Sequence, residues 1–573
     1  MNARRSSGAE ALCQALLAAG VSHVFGLPGS QSLELYRALR RSRLRSVLTT
    51  QELAAAFMAN GYHRASGRPA AIFTIPGPGF TYALTGLAEA LHDSAALVHV
   101  VGRAPRSGRR FEFQALDQPA IAAHLVKGAL AIERAGEASE RTAAAVALAT
   151  GGEPGPVLLE WTAEAMEEVA EQVPPRPPPA PLPAPPERVS EVADLLCRAR
   201  RPLLLLGQGA AGAPGLARRL AEALGAPVLT TASGRGVLPE DHPLALGFDF
   251  ARGGAADLAS LVGEADCVLA IGCKLGAAGT GIWALRIPPE RLVRVDASPE
   301  VLAANHPARL AVAADAQALL AQLVPAIERE CAGRSPPWPV ADVAAWRARL
   351  RGGGDRAAEP TFHGVVPPRA EAFFASLRRA LPRDGIVVTD SGLHQDLARR
   401  YLEVWSPRGL VAPSDFQSMG FGLPAAIGAC LAAPERPVVA VVGDGGLAMS
   451  GLELLTAVRE RLSLPVVVVN DGRLNRIRLQ QLAATGRTES VDLLNPDFEA
   501  LAHSVGAGHA LVDGDPEGVL RRALAARRPT LVEVRAGDSA AIHLSRAAGL
   551  ARGALRRGFP RWFRRRGARD REP

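Results

Sequence analysis

Two short passages place acids and glycines where apolar runs end. Pro437-Val438-Val439-Ala440-Val441-Val442 leads into Gly443-Asp444-Gly445-Gly446, and Pro465-Val466-Val467-Val468-Val469 leads into Asn470-Asp471-Gly472. Strand, glycine turn, helical stretch and second strand make a βαβ unit, which brings the ends of its two strands side by side. Asp444 and Asp471 therefore meet beyond the carboxyl ends of a sheet, where ligands of α/β folds sit. Two carboxylates and a backbone carbonyl make a hard-cation site with positions left for phosphate oxygens, the coordination magnesium prefers. The glycines let the backbone approach a diphosphate, and a helix expected to start near Met449 offers free amides to the anion. Gly-Asp-Gly alone is a common turn; the Asn-Asp after a second buried strand makes the signal specific.

A second group lies in the first 120 or so residues: Val24-Phe25-Gly26-Leu27-Pro28-Gly29, Thr50-Gln51-Glu52, Pro76-Gly77-Pro78-Gly79 and Phe113-Gln114-Ala115-Leu116-Asp117-Gln118. Glu52 opens an alanine-rich helix, a place where glutamate is ordinarily a surface residue favoured by the helix dipole. Gln114 carries an amide able to orient a substrate oxygen or to tether a loop. A third group is Asp390-Ser391-Gly392-Leu393-His394-Gln395 with Gln417-Ser418-Met419-Gly420-Phe421-Gly422. Met419 by itself reads as core filling.

These residues need a frame. Apolar runs of four to six residues alternate with helical stretches throughout, and their hydrophobicity is continuous, as in parallel strands covered on both faces. Nine prolines within 174–186 form an extended spacer, and Pro336-Pro337 and Gly352-Gly353-Gly354 mark a second break. The expected organisation is α/β, with three doubly wound parallel-sheet domains over 1–172, 188–330 and 360–545, linkers at 173–187 and 331–359, and a tail at 546–573.

Composition narrows the function classes. The net charge of +8 resides in the tail, where ten arginines face Asp570 and Glu572. The body is thus charge-balanced and not a nucleic-acid binder, and the tail reads as a solvated extension. No apolar run is long enough to span a bilayer, and no secretory signal is seen. Six scattered cysteines contain no C-x-x-C pair, so neither a disulfide frame nor a zinc site is suggested. A cytoplasmic location is expected.

Gly443-Asp444-Gly445 followed by Asn470-Asp471 resembles the signature of the thiamine diphosphate enzymes that include acetolactate synthases, pyruvate oxidases and 2-oxo acid decarboxylases. The resemblance covers nearly the whole chain up to about residue 540, and Gln417 to Gly428 follow the family pattern almost letter for letter. It implies magnesium held by Asp444, Asp471 and the carbonyl of Arg473, with Asp471 in place of a more usual asparagine. It implies that Gly392, His394 and Gln395 belong to a diphosphate-contacting turn. Met419 would prop the cofactor in a bent shape, and the carbonyl of Gln417 would accept from the aminopyrimidine. Glu52 matches the catalytic glutamate that exchanges a proton with the pyrimidine ring, and Gln114 a glutamine facing the reacting carbon. Gly26, Pro28, Gly29 and Gly77 match the pyrimidine side. In that family the two halves of the site come from different subunits, which implies a homodimer or homotetramer.

The resemblance has limits. Leu206-Gly207-Gln208-Gly209-Ala210-Ala211-Gly212 holds a G-x-G-x-x-G after a strand, but no acid closes the next strand, Val228-Leu229-Thr230-Thr231. The arginine that reads the acceptor carboxylate in acetolactate synthases falls near Ala278, and their tryptophan falls at Gln480. Both departures argue against classical acetolactate synthesis and against FAD. His92, His99 and His124 are isolated rather than paired, which favours carboligase or lyase chemistry over simple decarboxylation. Three readings follow: acetolactate synthase-like carboligation of 2-oxo acids; a 2-oxo acid decarboxylase or 2-hydroxyacyl lyase acting on 2-oxo acids or aldehydes; and a non-catalytic thiamine diphosphate-binding subunit, against which the intact Glu52, Asp444 and Asp471 argue.

Overall fold

The continuous apolar runs become fully buried strands. The computed structural model describes residues 5–104, 111–173, 180–247, 255–352 and 360–538. The arginine-rich tail and residues 174–179 of the proline-rich spacer lie outside the described residues. A short β1 (Arg5–Ser7) precedes six parallel strands: β2 (His23–Gly26), β3 (Arg45–Leu48), β4 (Ala70–Thr74), β5 (Leu97–Gly102), β6 (Ala129–Ile132) and β7 (Pro156–Trp161). Their order is β3-β2-β4-β5-β7-β6. An antiparallel ribbon of β1 with β8 (Val169–Glu171), which sequence patterning did not indicate, joins the two ends of this block.

The central sheet, ordered β10-β9-β11-β12-β13, is parallel throughout. Its strands are β9 (Pro202–Leu206), β10 (Val228–Thr230), β11 (Cys267–Ile271), β12 (Leu292–Asp296) and β13 (Leu310–Ala313). The segment after it carries a helix, Val340–Gly352. Trp338 and Trp346 there are buried with Leu203, Leu205 and Leu292 of the central sheet.

The third sheet contains β14 (Thr361–Phe362), β15 (Ile386–Thr389), β16 (Leu410–Val411), β17 (Val438–Gly443), β18 (Pro465–Asn470), β19 (Gly508–Leu511) and β20 (Thr530–Gly537). Its path is β14-β20-β18-β17-β15-β16, with β19 also paired to β20. Only the short edge strand β14 runs antiparallel among these pairs. The parallel β15, β17 and β18 lie side by side, so their carboxyl ends, at Thr389, Gly443 and Asn470, share one edge.

One apolar cluster runs from the first sheet into the third through two crossing helices, Glu52–Ser66 and Gly422–Ala432. The crossing is close because it is built on glycines. A Cβ on Gly61 would lie 2.1 Å from the carbonyl oxygen of Ala425, and one on Gly428 1.9 Å from that of Met58. Phe57 and Phe421 meet edge to face beside it, 5.4 Å between centroids. A buried ion pair, Arg64 with Asp93 at 3.1 Å, braces the same junction, and Asp93 also accepts the Ser414 amide at 3.0 Å.

Candidate active site

Asp444 is the first residue of the helix Asp444–Ser450. The helix therefore starts directly on the strand and not near Met449. Gly446 packs so tightly on Asp390 that a Cβ would lie 2.4 Å from Asp390 Oδ2, so side-chain packing holds a glycine-rich first turn helical against propensity.

Asp444 is nearly buried and its carboxylate is fully oriented. Oδ1 accepts the Gly445 amide at 2.8 Å; Oδ2 accepts the Gly472 amide at 2.7 Å and Asn495 Nδ2 at 2.7 Å. Asp471 accepts from the Arg473 amide at 3.2 Å and Asn475 Nδ2 at 2.9 Å. Burial, and then the Asp444 carboxylate, push the Asp471 carboxyl up to about 6. Among the described residues no group of three or more His, Cys, Asp or Glu side chains could hold a metal; the third oxygen expected here, the Arg473 carbonyl, is backbone.

A cleft of about 100 Å³ opens over this pair, lined by Gly392, His394, Met419, Gly443, Asp444, Gly445, Gly446, Asp471 and Arg473 among others. The His394 ring lies against Gly392 and Gly443, and its Nε2 is buried without a hydrogen-bond partner. A phosphate oxygen would satisfy that nitrogen, and a divalent cation would relieve the repulsion between Asp444 and Asp471, so these residues fit a metal-bound diphosphate. Gln395 points away from the cleft and donates to the Pro413 carbonyl at 2.9 Å. Gln417, at φ 64°, donates to the same carbonyl at 2.7 Å. The loop carrying Gln417 is also held by Glu89, whose carboxylate accepts the Ser418 amide at 2.7 Å.

The residues from the first block gather separately, at the carboxyl ends of β2 and β4. Gly79 sits against Glu52, where a Cβ would lie 3.0 Å from Glu52 Oε1, and Gly29 sits against Ile75. Gly77 takes φ +67° beneath Gln114, where a Cβ would lie 2.9 Å from that of Gln114, so glycine is required on both counts. Gln114 itself holds φ 57° and accepts from Gln31 Nε2 at 2.5 Å. Gly26 ends β2 with Pro28 exposed just beyond it. None of these residues lines the Asp444 cleft. His99 is fully buried against Phe80 and bonded to Thr74 Oγ1 at 2.8 Å.

Three further residues support the two clusters in ways that no spacing signals. Asn495 orients Asp444 from 51 positions away. Asp390, buried at the end of β15, accepts the amides of Ser391 and Gly420 and fixes the cleft wall. Gln118 accepts the Gly77 amide at 3.3 Å and donates to Glu160 at 2.8 Å.

Family models of thiamine pyrophosphate enzymes match all three blocks: the N-terminal TPP binding domain over residues 6–121, the central domain over 189–323 and the C-terminal TPP binding domain over 390–534. Thiamine pyrophosphate is thiamine diphosphate by another name. The chain belongs to this family and is a thiamine diphosphate-dependent enzyme of the transferase or lyase type. It is 34% identical over 508 residues to a Pseudomonas aeruginosa protein named "Probable 2-ketoarginine decarboxylase AruI", covering 87% of this chain and 88% of that one. It is 34% identical over 553 residues to the acetolactate synthase large subunit of Parasynechococcus marenigrum, covering 92% and 87%. With the acetolactate synthase isozyme 1 large subunit of Escherichia coli it shares 29% over 546 residues, covering 93% and 94%. Among the described residues no helix is long and apolar enough to cross a membrane.

Proposed function

We propose that the chain forms or cleaves a carbon–carbon bond beside a carbonyl in 2-oxo acid substrates, in the manner of acetolactate synthase carboligation. The observation that carries this is the pair Asp444 and Asp471 at adjoining strand ends, over a cleft walled by glycines and His394. In this reading Asp444, Asp471 and the Arg473 carbonyl hold magnesium, and Gly392, His394, Gly443, Gly445 and Gly446 receive the diphosphate. Thiamine diphosphate, when bound, supplies the nucleophilic carbon and the electron sink. Glu52 holds and returns a proton at the pyrimidine ring nitrogen, Met419 and the Gln417 carbonyl orient that ring, and Gln114 orients a substrate oxygen.

Because no residue of the Glu52 cluster lines the Asp444 cleft of its own chain, the reading includes a homodimer or a homotetramer. Exposed apolar side chains next to both clusters in sequence, Leu33, Leu48 and Tyr82 on one side and Met449 and Leu452 on the other, support it. FAD is not part of the proposal. Where acetolactate synthases place an arginine, the Ala278 amide donates to Asp415, and Lys274 is paired with Glu153 at 2.5 Å; a protein purified yellow would overturn this.

Decarboxylation of a 2-oxo acid is the second reading, favoured by the similarity to the Pseudomonas aeruginosa relative and by the exposed Gln480 in place of the tryptophan. Incubating the loaded protein with pyruvate and a panel of aldehydes and 2-oxo acids separates the two by mass spectrometry. Condensed hydroxy-ketone products support carboligation, aldehydes with carbon dioxide alone support decarboxylation, and no turnover of any member contradicts both.

A further inference from the structure

The segment after the metal-site strand carries three arginines, Arg473, Arg476 and Arg478, and they are not equally engaged. Arg473 reaches Asp492 and Asp538, each at 3.2 Å. Arg478 is buried, donates to Asn475 Oδ1 at 3.1 Å and pairs with Asp538. Arg476 stands on the first turn of the helix Asn475–Thr485, its side chain 39% exposed, with only a loose 3.4 Å contact from Nε to Asp396. It lines the same cleft as Gly392, His394, Gly443 and Asp444. Its charge also reaches the His394 ring, which burial chiefly holds neutral.

Charge balance gives Arg476 a task. A diphosphate ester carries roughly three negative charges near neutrality, judged from phosphate ionisation near pH 6. Asp444 and Asp471 add two carboxyl groups, and a divalent cation offsets only part of the total. Among the described residues lining the cleft, Arg473 and Arg476 are the basic side chains, and Arg473 already holds two carboxylates. A guanidinium with most of its donors uncommitted, on the rim beside the unpartnered His394 Nε2, suits forked binding of phosphate oxygens.

We propose that Arg476 clamps the terminal phosphate, so that the cleft selects a diphosphate over a monophosphate ester. This rests on the reading that the cleft holds thiamine diphosphate. In it Arg476 is a binding residue on the wall of the cleft, with Asp396 keeping the guanidinium in place when the cleft is empty.

The test is calorimetric titration of cofactor-free full-length protein, in excess magnesium, with thiamine diphosphate, thiamine monophosphate and inorganic diphosphate. Arg476→Met is expected to weaken thiamine diphosphate and inorganic diphosphate by about ten- to a hundredfold, as for a lost charge-assisted hydrogen bond, and to leave thiamine monophosphate unchanged. Arg476→Lys, which keeps the charge but not the fork, is expected to fall between. Equal loss for all three ligands, or unchanged affinities, would overturn the assignment. So would unchanged diphosphate affinity with a raised KM for the 2-oxo acid, which would give Arg476 to the substrate. If the unaltered protein binds no thiamine diphosphate with magnesium, the underlying reading fails; if it binds and Arg476→Met is silent, only this inference fails.

Discussion

Burial, and then the Asp444 carboxylate, raise the Asp471 carboxyl to about 6, although Asp444 and Asp471 stand 27 positions apart in the chain. Adjacent parallel strands β17 and β18 bring them together; amides and amide side chains hydrogen-bond both, and only the Arg478 charge partly offsets the repulsion at Asp471. Two like charges are placed together at a cost, which is the arrangement expected of residues that share a cation.

Glu52 opens a helix beside Gly79 and does not line the Asp444 cleft of its own chain. If it is the proton-exchanging group, Glu52→Gln lowers kcat by about 10²–10⁴-fold, the usual contribution of a positioned acid or base. Cofactor affinity, measured by titration, stays within a few-fold. Near-normal turnover would remove Glu52 from the mechanism.

The helix crossing predicts an effect on stability. Gly428→Ala drives a methyl group into the carbonyl oxygen of Met58, 1.9 Å from the Cβ position. Overpacking of this kind costs about 1–3 kcal/mol, so the thermal midpoint falls, whereas alanine at exposed, helical Gly215, with nothing within 4 Å, keeps or raises it. Calorimetry of both variants checks the pair. An unchanged midpoint for Gly428→Ala would mean that the two helices do not meet as described.

The loop bearing Gln417 and Met419 predicts a pH dependence. Burial, and then neighbouring Asp93, push the Glu89 carboxyl up to about 7, against an ordinary value of about 4 in the unfolded chain. Between those values the folded protein keeps a proton that the unfolded chain releases, so this group's contribution to stability declines as pH rises through the window and is fully lost above about 7. Glu89→Gln retains an acceptor for the Ser418 amide without the charge. Its thermal midpoint should drop less than that of the unaltered protein between about pH 5 and pH 8; parallel curves would refute the shift.

Much of this site is legible in the sequence. Continuous valine runs ending in Gly443-Asp444 and Asn470-Asp471 announce buried parallel strands, and topology alone makes their ends neighbours. The start of the helix at Asp444 is not legible, because three of the residues around it are glycines and their close packing, on Asp390, Leu474, Leu493 and Met419, comes from distant parts of the chain. Asn495, Gln118 and the tight α-helical crossing at Gly61 and Gly428 are invisible for a related reason. A side-chain hydrogen bond or a backbone contact across the chain leaves no periodicity behind. The unequal engagement of Arg473, Arg476 and Arg478 likewise depends on Asp492 and Asp538 arriving from elsewhere.

Everything proposed for the cleft depends on Asp444 and Asp471 binding thiamine diphosphate through a divalent cation. The decisive measurement is titration of cofactor-free protein with thiamine diphosphate, with and without magnesium, in the unaltered chain and in Asp444→Ala. Saturable binding that needs magnesium, is abolished by a chelator and is lost in Asp444→Ala is the expected result. Equal affinity without magnesium, or in Asp444→Ala, would contradict it.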